Sequence, residues 1–211
     1  KYLFYLLIIL CGLVYIPSLH NPFVWDDVII IQDNPYIGSS VRMKAKDFIS
    51  SDYLKISKEG TYRPVATALY YLTGIVSGKN PAGYRAVNMA LNIVAGILVM
   101  VLGRRFFGVM AGLIAGLLFV MHPMHSETVF IASFNEDIIM TVFLLVAFLA
   151  YMDYRRTGNK LILLFSAVSF LFSCLSKEPG MAFLGFVVFY EEFLGGEEKG
   201  TQINSKASNH E

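Results

Sequence analysis

The chain has 211 residues, of which 55% are hydrophobic and 16% charged, and its mean hydropathy is +0.56. Soluble domains run about 45–50% apolar and about 25% charged, so this chain shifts toward oil and away from charge at once. A disordered chain, a coiled coil and collagen are excluded, and a formal net charge of +1 leaves no basic field for nucleic acid. The composition is that of an integral membrane protein.

Six apolar runs follow in chain order, at 2–19, 86–103, 106–121, 138–152, 161–175 and 180–194. A helix needs about 20 residues, and at least about 17, to cross about 30 Å of hydrocarbon. Four runs fall short of that, so the helices are expected to continue into polar residues at one end, where such groups face protein or a watery cavity. The first run starts at once, without Met or a basic lead-in, and Pro17-Ser18-Leu19 is a poor signal-peptidase site. It reads as a retained span of a chain whose true start is missing. Cys11 and Cys174 both fall in apolar runs, as small hydrophobes rather than a disulfide pair.

Short loops set the orientation. Arg104, Arg105, Arg155, Arg156 and Lys160 lie on one side, whereas the short loops opposite carry only Lys177. The basic side is expected to be cytoplasmic. A long segment at 20–85 then faces outward, with short surface helices expected at 41–53 and 64–76. The second of these places Val65, Leu69, Leu72 and Val76 near helical spacing. The expected layout is an all-α membrane domain over 1–195, with about six transmembrane helices, and a polar tail or linker over 196–211.

Gly108, Gly112 and Gly116 recur every fourth residue, a strip that lets another helix approach closely. Arg85, Asn88 and Asn92 share one helix face near its outer end. They either join helices by hydrogen bonds or line a cavity.

Trp25-Asp26-Asp27, just past the first run, is the strongest local signal. Adjacent carboxylates at a membrane surface suit a general base or a divalent-cation ligand, against the plainer reading of an exposed acidic turn. Other outward ends supply Tyr62-Arg63-Pro64, His122-Pro123-Met124-His125-Ser126-Glu127, Asn135-Glu136-Asp137 and Ser176-Lys177-Glu178-Pro179. Acids, imidazoles and cations from separate places thus share one face, as an outward active site would require. The two histidines are three apart with Pro123 between them, unlike the i, i+4 spacing of helical zinc motifs, so bonds to backbone or substrate fit better than metal. No GxGxxG, Walker loop or nucleophile elbow occurs.

At these residues the sequence resembles the membrane glycosyltransferases of the GT-C fold. It is most similar to protein O-mannosyltransferase-like enzymes and to the transmembrane/tetratricopeptide-repeat O-mannosyltransferases. The matching pieces are Phe23-Val24-Trp25-Asp26-Asp27 with Asp33-Asn34-Pro35, Tyr62-Arg63-Pro64-Val65 and Asn80-Pro81 through Tyr84 to Asn88. They continue with His122 to Glu127, Asp137 and Ser176-Lys177-Glu178-Pro179, in the family's order.

The resemblance implies transfer of a sugar, a hexose such as mannose, from a polyprenyl-phosphate carrier to a protein or other hydroxyl acceptor on the outer or lumenal side. It implies Asp26 or Asp27 as the acid acting on the acceptor, and Arg63, His122, His125, Glu127, Asp137, Lys177 and Glu178 as the donor phosphate and sugar site. The lipid-linked sugar is then a substrate; the resemblance fixes no cofactor, and it leaves room for a divalent cation without deciding whether one is needed. The membrane would be the bacterial cytoplasmic membrane, or the endoplasmic reticulum in a eukaryote. Relatives carry a basic residue shortly before the position of Asp137, where this chain has Asn135-Glu136. They also continue into further spans and helical repeats, so the chain is expected to be the front of a longer enzyme. The alternatives are a truncated, non-catalytic relative that binds lipid phosphate or a partner, and a transporter, which would show internal repeats and mid-membrane charges.

Overall fold

The computed structural model describes residues 2–38 and 61–194, and among them every regular element is helical. The expected helix at 41–53 and the tail at 196–211 lie outside the described residues. The elements are α1 (Tyr2–Tyr15), α2 (Pro64–Ser77), α3 (Pro81–Met121), α4 (Ser126–Phe130), α5 (Asn135–Thr157), α6 (Lys160–Ser176) and α7 (Ala182–Phe189). Short 3-10 turns follow α1, flank α4 and precede α7, and π-helical turns occupy Val28–Gln32 and Tyr190–Leu194.

The sequence marks these boundaries chemically. Asn80 accepts from the backbone N–H of Ala82 at 3.1 Å, with Pro81 at the first helical position of α3. Asn159 caps α6 through Leu161 N–H at 2.9 Å. An Asn cap followed by Pro satisfies donors that an abrupt helix start leaves open. Gly78 and Gly158, at φ +59° and +68°, end α2 and α5 in conformations other residues resist.

α3 is a hairpin of two antiparallel arms. Gly108 takes φ +87° and ψ 177°, which breaks the helical path. Beyond it the chain doubles back so tightly that a Cβ on Gly112 would lie 2.5 Å from the Met100 carbonyl oxygen. One on Gly116 would lie 2.8 Å from that of Gly96. The expected glycine strip is therefore corrected in part: Gly112 and Gly116 carry the close approach, while Gly108 makes the reversal. Asn92 and Tyr15 both donate to the Val120 carbonyl, at 3.4 and 3.0 Å, and tie the second arm to the first arm and to α1.

Leu7, Cys11 and Tyr15 of α1 are buried with Val120, Val129 and Ile138 in one apolar cluster. α6 runs back along α5, where Ser166 and Ser173 donate to the carbonyls of Ala147 and Met140 at 2.7 and 3.0 Å. Small hydroxyls of this kind let apolar helices pack closely while satisfying themselves. Phe183 and Tyr190 complete a further cluster with Leu144, Ala147, Phe148 and Met152. Cys11 and Cys174 are both free thiols.

Charged side chains separate to the two ends of α5. At one end Arg105 holds Asp153 at 2.7 and 3.1 Å, and Arg155 holds Glu191 at 2.7 Å. Glu136 and Asp137 mark the other end, about 25 Å away at a rise of 1.5 Å per residue. The basic loops assigned to one side thus come together in space. Two helices among the described residues are long and apolar enough to cross a membrane, Pro81–Met121 and Ala132–Thr157. The count of six crossings is not reached on helix length, because the other apolar helices run to 17 residues or fewer.

In α2 the buried residues are Ala66, Thr67, Tyr70, Thr73 and Gly74. Leu72, Ile75 and Val76 are exposed. The apolar side expected to hold this helix down thus points away from the protein. Small and polar residues make its inner contacts, with the Tyr70 hydroxyl donating to the Ser133 carbonyl.

Candidate active site

The segment 122–137 is the hub on which the candidate residues converge. It leaves α3 at His122, whose Nδ1 accepts from the backbone N–H of Met124 at 3.2 Å. Pro123 blocks continuation of the helix, and the chain passes through α4 and a second tight turn into α5.

The two acids of the Trp25-Asp26-Asp27 motif have opposite environments. Asp27 is 0% exposed. Its Oδ1 accepts from the backbone N–H of Ser133 at 2.8 Å, and its Oδ2 from that of Val24 at 3.3 Å. Asp26 is exposed, beside a Trp25 that is 75% exposed. Trp25 takes φ +50°, a left-handed conformation that costs roughly 1–2 kcal/mol in a residue with a side chain. Hydrogen bonds from Asp27 N–H to the Val24 carbonyl at 3.0 Å and from Val28 N–H to the Trp25 carbonyl at 3.2 Å hold that turn.

Arg85 locks the loop from below. Its side chain is 1% exposed, with Nη2 3.9 Å from Asp27 Oδ2. Nε donates to the Phe130 carbonyl at 2.7 Å and Nη2 to that of Pro22 at 2.5 Å. Nη1 donates to the Asn21 carbonyl. Asn88 Nδ2 donates to the carbonyls of Thr128 and Ile131 at 3.0 and 3.1 Å. The polar face of Arg85, Asn88 and Asn92 therefore joins elements through backbone carbonyls. The sequence offers that alternative but does not link Arg85 to the acidic motif; its signal is a cation on the polar face shared with Asn88 and Asn92.

A second group brings together Arg63, Asp137, Lys177 and Glu178 from separate segments. Arg63 Nη1 lies 2.5 Å from Glu136 Oε1, and Lys177 Nζ lies 3.2 Å from the same oxygen. Lys177 Nζ also reaches Asp137 Oδ2 at 2.6 Å, and Arg63 Nη2 reaches Glu178 Oε2 at 3.4 Å. The result is an alternating chain, Glu178–Arg63–Glu136–Lys177–Asp137. Burial opposes both cations, but the facing carboxylates outweigh it and hold the Arg63 and Lys177 ionisations above their ordinary values. Glu178 is held below the usual carboxylate range, first by its own backbone N–H and then by Arg63, burial opposing. Glu136, at the centre, stands in the sequence as a departure from the family pattern rather than as a site residue. Its signal is its place directly before Asp137.

The histidines form their own pair on the 122–125 turn, with ring centroids 6.2 Å apart. His125 packs on Phe119 at 4.1 Å. Burial, then His122, holds it below the ordinary histidine value. His122 and Glu127 are exposed. Among the described residues no group of three His, Cys, Asp or Glu side chains is placed to hold a metal ion.

Residues 62–207 match the family model described as dolichyl-phosphate-mannose-protein mannosyltransferase. The chain is 28% identical over 183 residues to protein O-mannosyl-transferase TMTC3 of Mus musculus, covering 84% of this chain and 20% of that protein. It is 29% identical over 185 residues to protein O-mannosyl-transferase F38B6.6 of Caenorhabditis elegans, covering 83% and 26%. The match to protein O-mannosyl-transferase TMTC1 of Mus musculus is 28% over 211 residues, covering 92% and 22%. The chain thus spans about a fifth to a quarter of the length of these relatives. No solved structure matches. With more than half of its residues inside the family model, the chain belongs to the dolichyl-phosphate-mannose-protein mannosyltransferase family.

Proposed function

We propose that the chain forms the outer-face catalytic loops of a membrane mannosyltransferase that moves mannose from a polyprenyl-phosphate carrier to a hydroxyl of a protein acceptor. In this reading six helical segments cross the membrane: α1, the two arms of α3, α5, α6, and α7 with its π-helical turn. The Arg105 end faces the cytoplasm, and the Asp26 and Arg63 groups face outward or into the lumen.

Asp26 takes the proton of the acceptor hydroxyl while that oxygen attacks the anomeric carbon. The bond from the anomeric carbon to the phosphate oxygen breaks, and the lipid phosphate leaves with the electron pair. In this reading Arg63 and Lys177 supply the cations that stabilise that charge, with His122 and His125 as auxiliary donors. One base and direct displacement give inversion. The observation carrying this reading is the split of the acidic pair: Asp27 is buried and hydrogen-bonded inside, and Asp26 is exposed on a turn closed by two backbone hydrogen bonds.

The test uses membranes containing the protein, incubated with labelled polyprenyl-phosphate mannose. Asp26→Asn should abolish incorporation into protein while insertion is unchanged, and full activity in that variant would sink the base assignment. The same assay with a chelator tests dependence on a divalent cation.

A further inference from the structure

The donor site of the proposed reaction contains an apparent contradiction. Among the described residues, two cations, Arg63 and Lys177, face three carboxylates, Glu136, Asp137 and Glu178, so these five side chains together carry a net formal charge of −1. A group with that balance repels a phosphate ester. The three acids are not equivalent, however. Asp137 contacts Lys177, and Glu178 contacts Arg63. Among the described residues Glu136 alone bridges both cations, and does so through a single oxygen, Oε1, at 2.5 and 3.2 Å.

That oxygen marks the point where the two positive fields meet. It is also at the first turn of α5, where the helix dipole favours an anion. The side chains of Arg63, Glu136 and Lys177 are 16%, 15% and 23% exposed, so the position is shielded yet open to the surface.

Resting on the donor reading above, we infer that Glu136 is an internal stand-in for the phosphate: Arg63 and Lys177 form an anion site that the Glu136 carboxylate occupies, and a phosphate ester enters by displacing it. The exchange is charge-for-charge for a diester, whose phosphate carries one negative charge, as Glu136 does. Displaced, Glu136 swings to solvent, and the cations then share their flanking acids with the incoming phosphate. When the phosphate departs, Glu136 returns to the same two cations and opposes rebinding. Glu136 is thus a residue that sets donor affinity through Arg63 and Lys177, rather than a catalytic residue.

A purely structural ion-pair chain makes the opposite forecast. Removing the central acid of such a chain leaves cations uncompensated and loosens the fold, and phosphate binding falls with it. The experiment therefore compares the full-length wild type, Glu136→Gln and Glu136→Asp in nanodiscs, with a short-chain polyprenyl phosphate and inorganic phosphate as probes. Affinity and thermal midpoint are read for each. The Asp variant keeps the charge but is one methylene too short to bridge both cations, so it remains informative if the Gln variant fails to fold.

A several-fold lower Kd for polyprenyl phosphate in Glu136→Gln, and a smaller gain in Glu136→Asp, are expected with thermal midpoints near the wild type. A matching gain for inorganic phosphate means that the site selects the phosphate alone; a gain for the lipid only means that the prenyl chain is needed as well. Both outcomes support displacement. Wild-type binding that neither variant improves overturns the stand-in role and leaves the donor assignment intact. Loss of fold in both variants makes Glu136 a structural keystone and also overturns it. Absence of binding in all three folded proteins overturns the inference and the donor assignment together.

Discussion

The carboxylate of Asp27 accepts a hydrogen bond from the backbone N–H of Ser133 at 2.8 Å, joining positions 106 residues apart in sequence. This bond fixes the loop after α1 to the turn before α5. The same turn leads directly into Glu136 and Asp137, and so connects the acidic motif to the ionic chain.

Asp27→Ala should therefore act on the fold before the chemistry. It leaves Arg85 buried without its acid, and breaking a buried pair of this kind costs about 3–5 kcal/mol. A large fall in thermal midpoint in detergent is expected, along with loss of expression. Asp26→Ala, on an exposed position, should leave the midpoint unchanged. Equal midpoints for the two variants would refute the division of labour between the acids.

Gly112→Val should open the α3 hairpin. Its Cβ would lie 2.5 Å from the Met100 carbonyl and 2.6 Å from the Arg104 nitrogen, contacts that backbone cannot relieve cheaply. Overpacking of this sort costs about 1–3 kcal/mol or more. Gly185→Ala, where no atom lies within 4 Å of an added Cβ, is the control and should be silent. Thermal melts of the two variants decide the matter, and a stable Gly112→Val protein would contradict the doubled-back arrangement.

At the opposite end, Arg105→Ala should cost little. Its side chain and that of Asp153 are 21% and 42% exposed, and exposed pairs are worth about 0–1 kcal/mol. Transfer should persist, since this pair lies at the end of α5 opposite Glu136 and Asp137. Loss of transfer in a folded Arg105→Ala protein would mean that this end contributes to the reaction.

Acid should destabilise the loops that carry His125 and Glu178, and mild alkali should not. His125 ionises below its ordinary value because burial, then His122, disfavours the cation. As pH falls through the ordinary histidine range, at about 6.5, the unfolded chain takes a proton that the folded turn refuses, so stability falls. The lowered value of Glu178 has the same sign: its contribution, present above the usual carboxylate range, is lost as pH falls through the folded value. The contribution of Lys177, whose value is raised, is lost only above the usual lysine range, and Glu136, raised by burial, offsets part of the acid loss. Melts between neutral and acid pH should show a falling midpoint, with a smaller fall in His125→Gln. A midpoint that rises on acidification would reject this account.

The general frame was readable in the sequence because hydrophobic runs and basic loops act independently of tertiary detail. Arg105 and Arg155 do reach one end together, and the expected runs 86–103 and 106–121 lie in the two arms of the α3 hairpin. What periodicity could not show was which of two adjacent acids turns inward, because an alternating environment depends on the partner, here Ser133. Nor could it show that α2 packs through Thr67, Tyr70 and Thr73 rather than its apolar side. Glu136 was passed over because its importance comes from Arg63 and Lys177, which are distant in sequence.

The most direct measurement is mannose incorporation from labelled polyprenyl-phosphate mannose into protein in membranes carrying the wild type or Asp26→Asn at matched levels. With Asp26 as the base, the variant should lose at least about 100-fold in rate, the lower range for general-base removal, at an unchanged thermal midpoint. Transfer by Asp26→Asn at the wild-type rate would contradict the account.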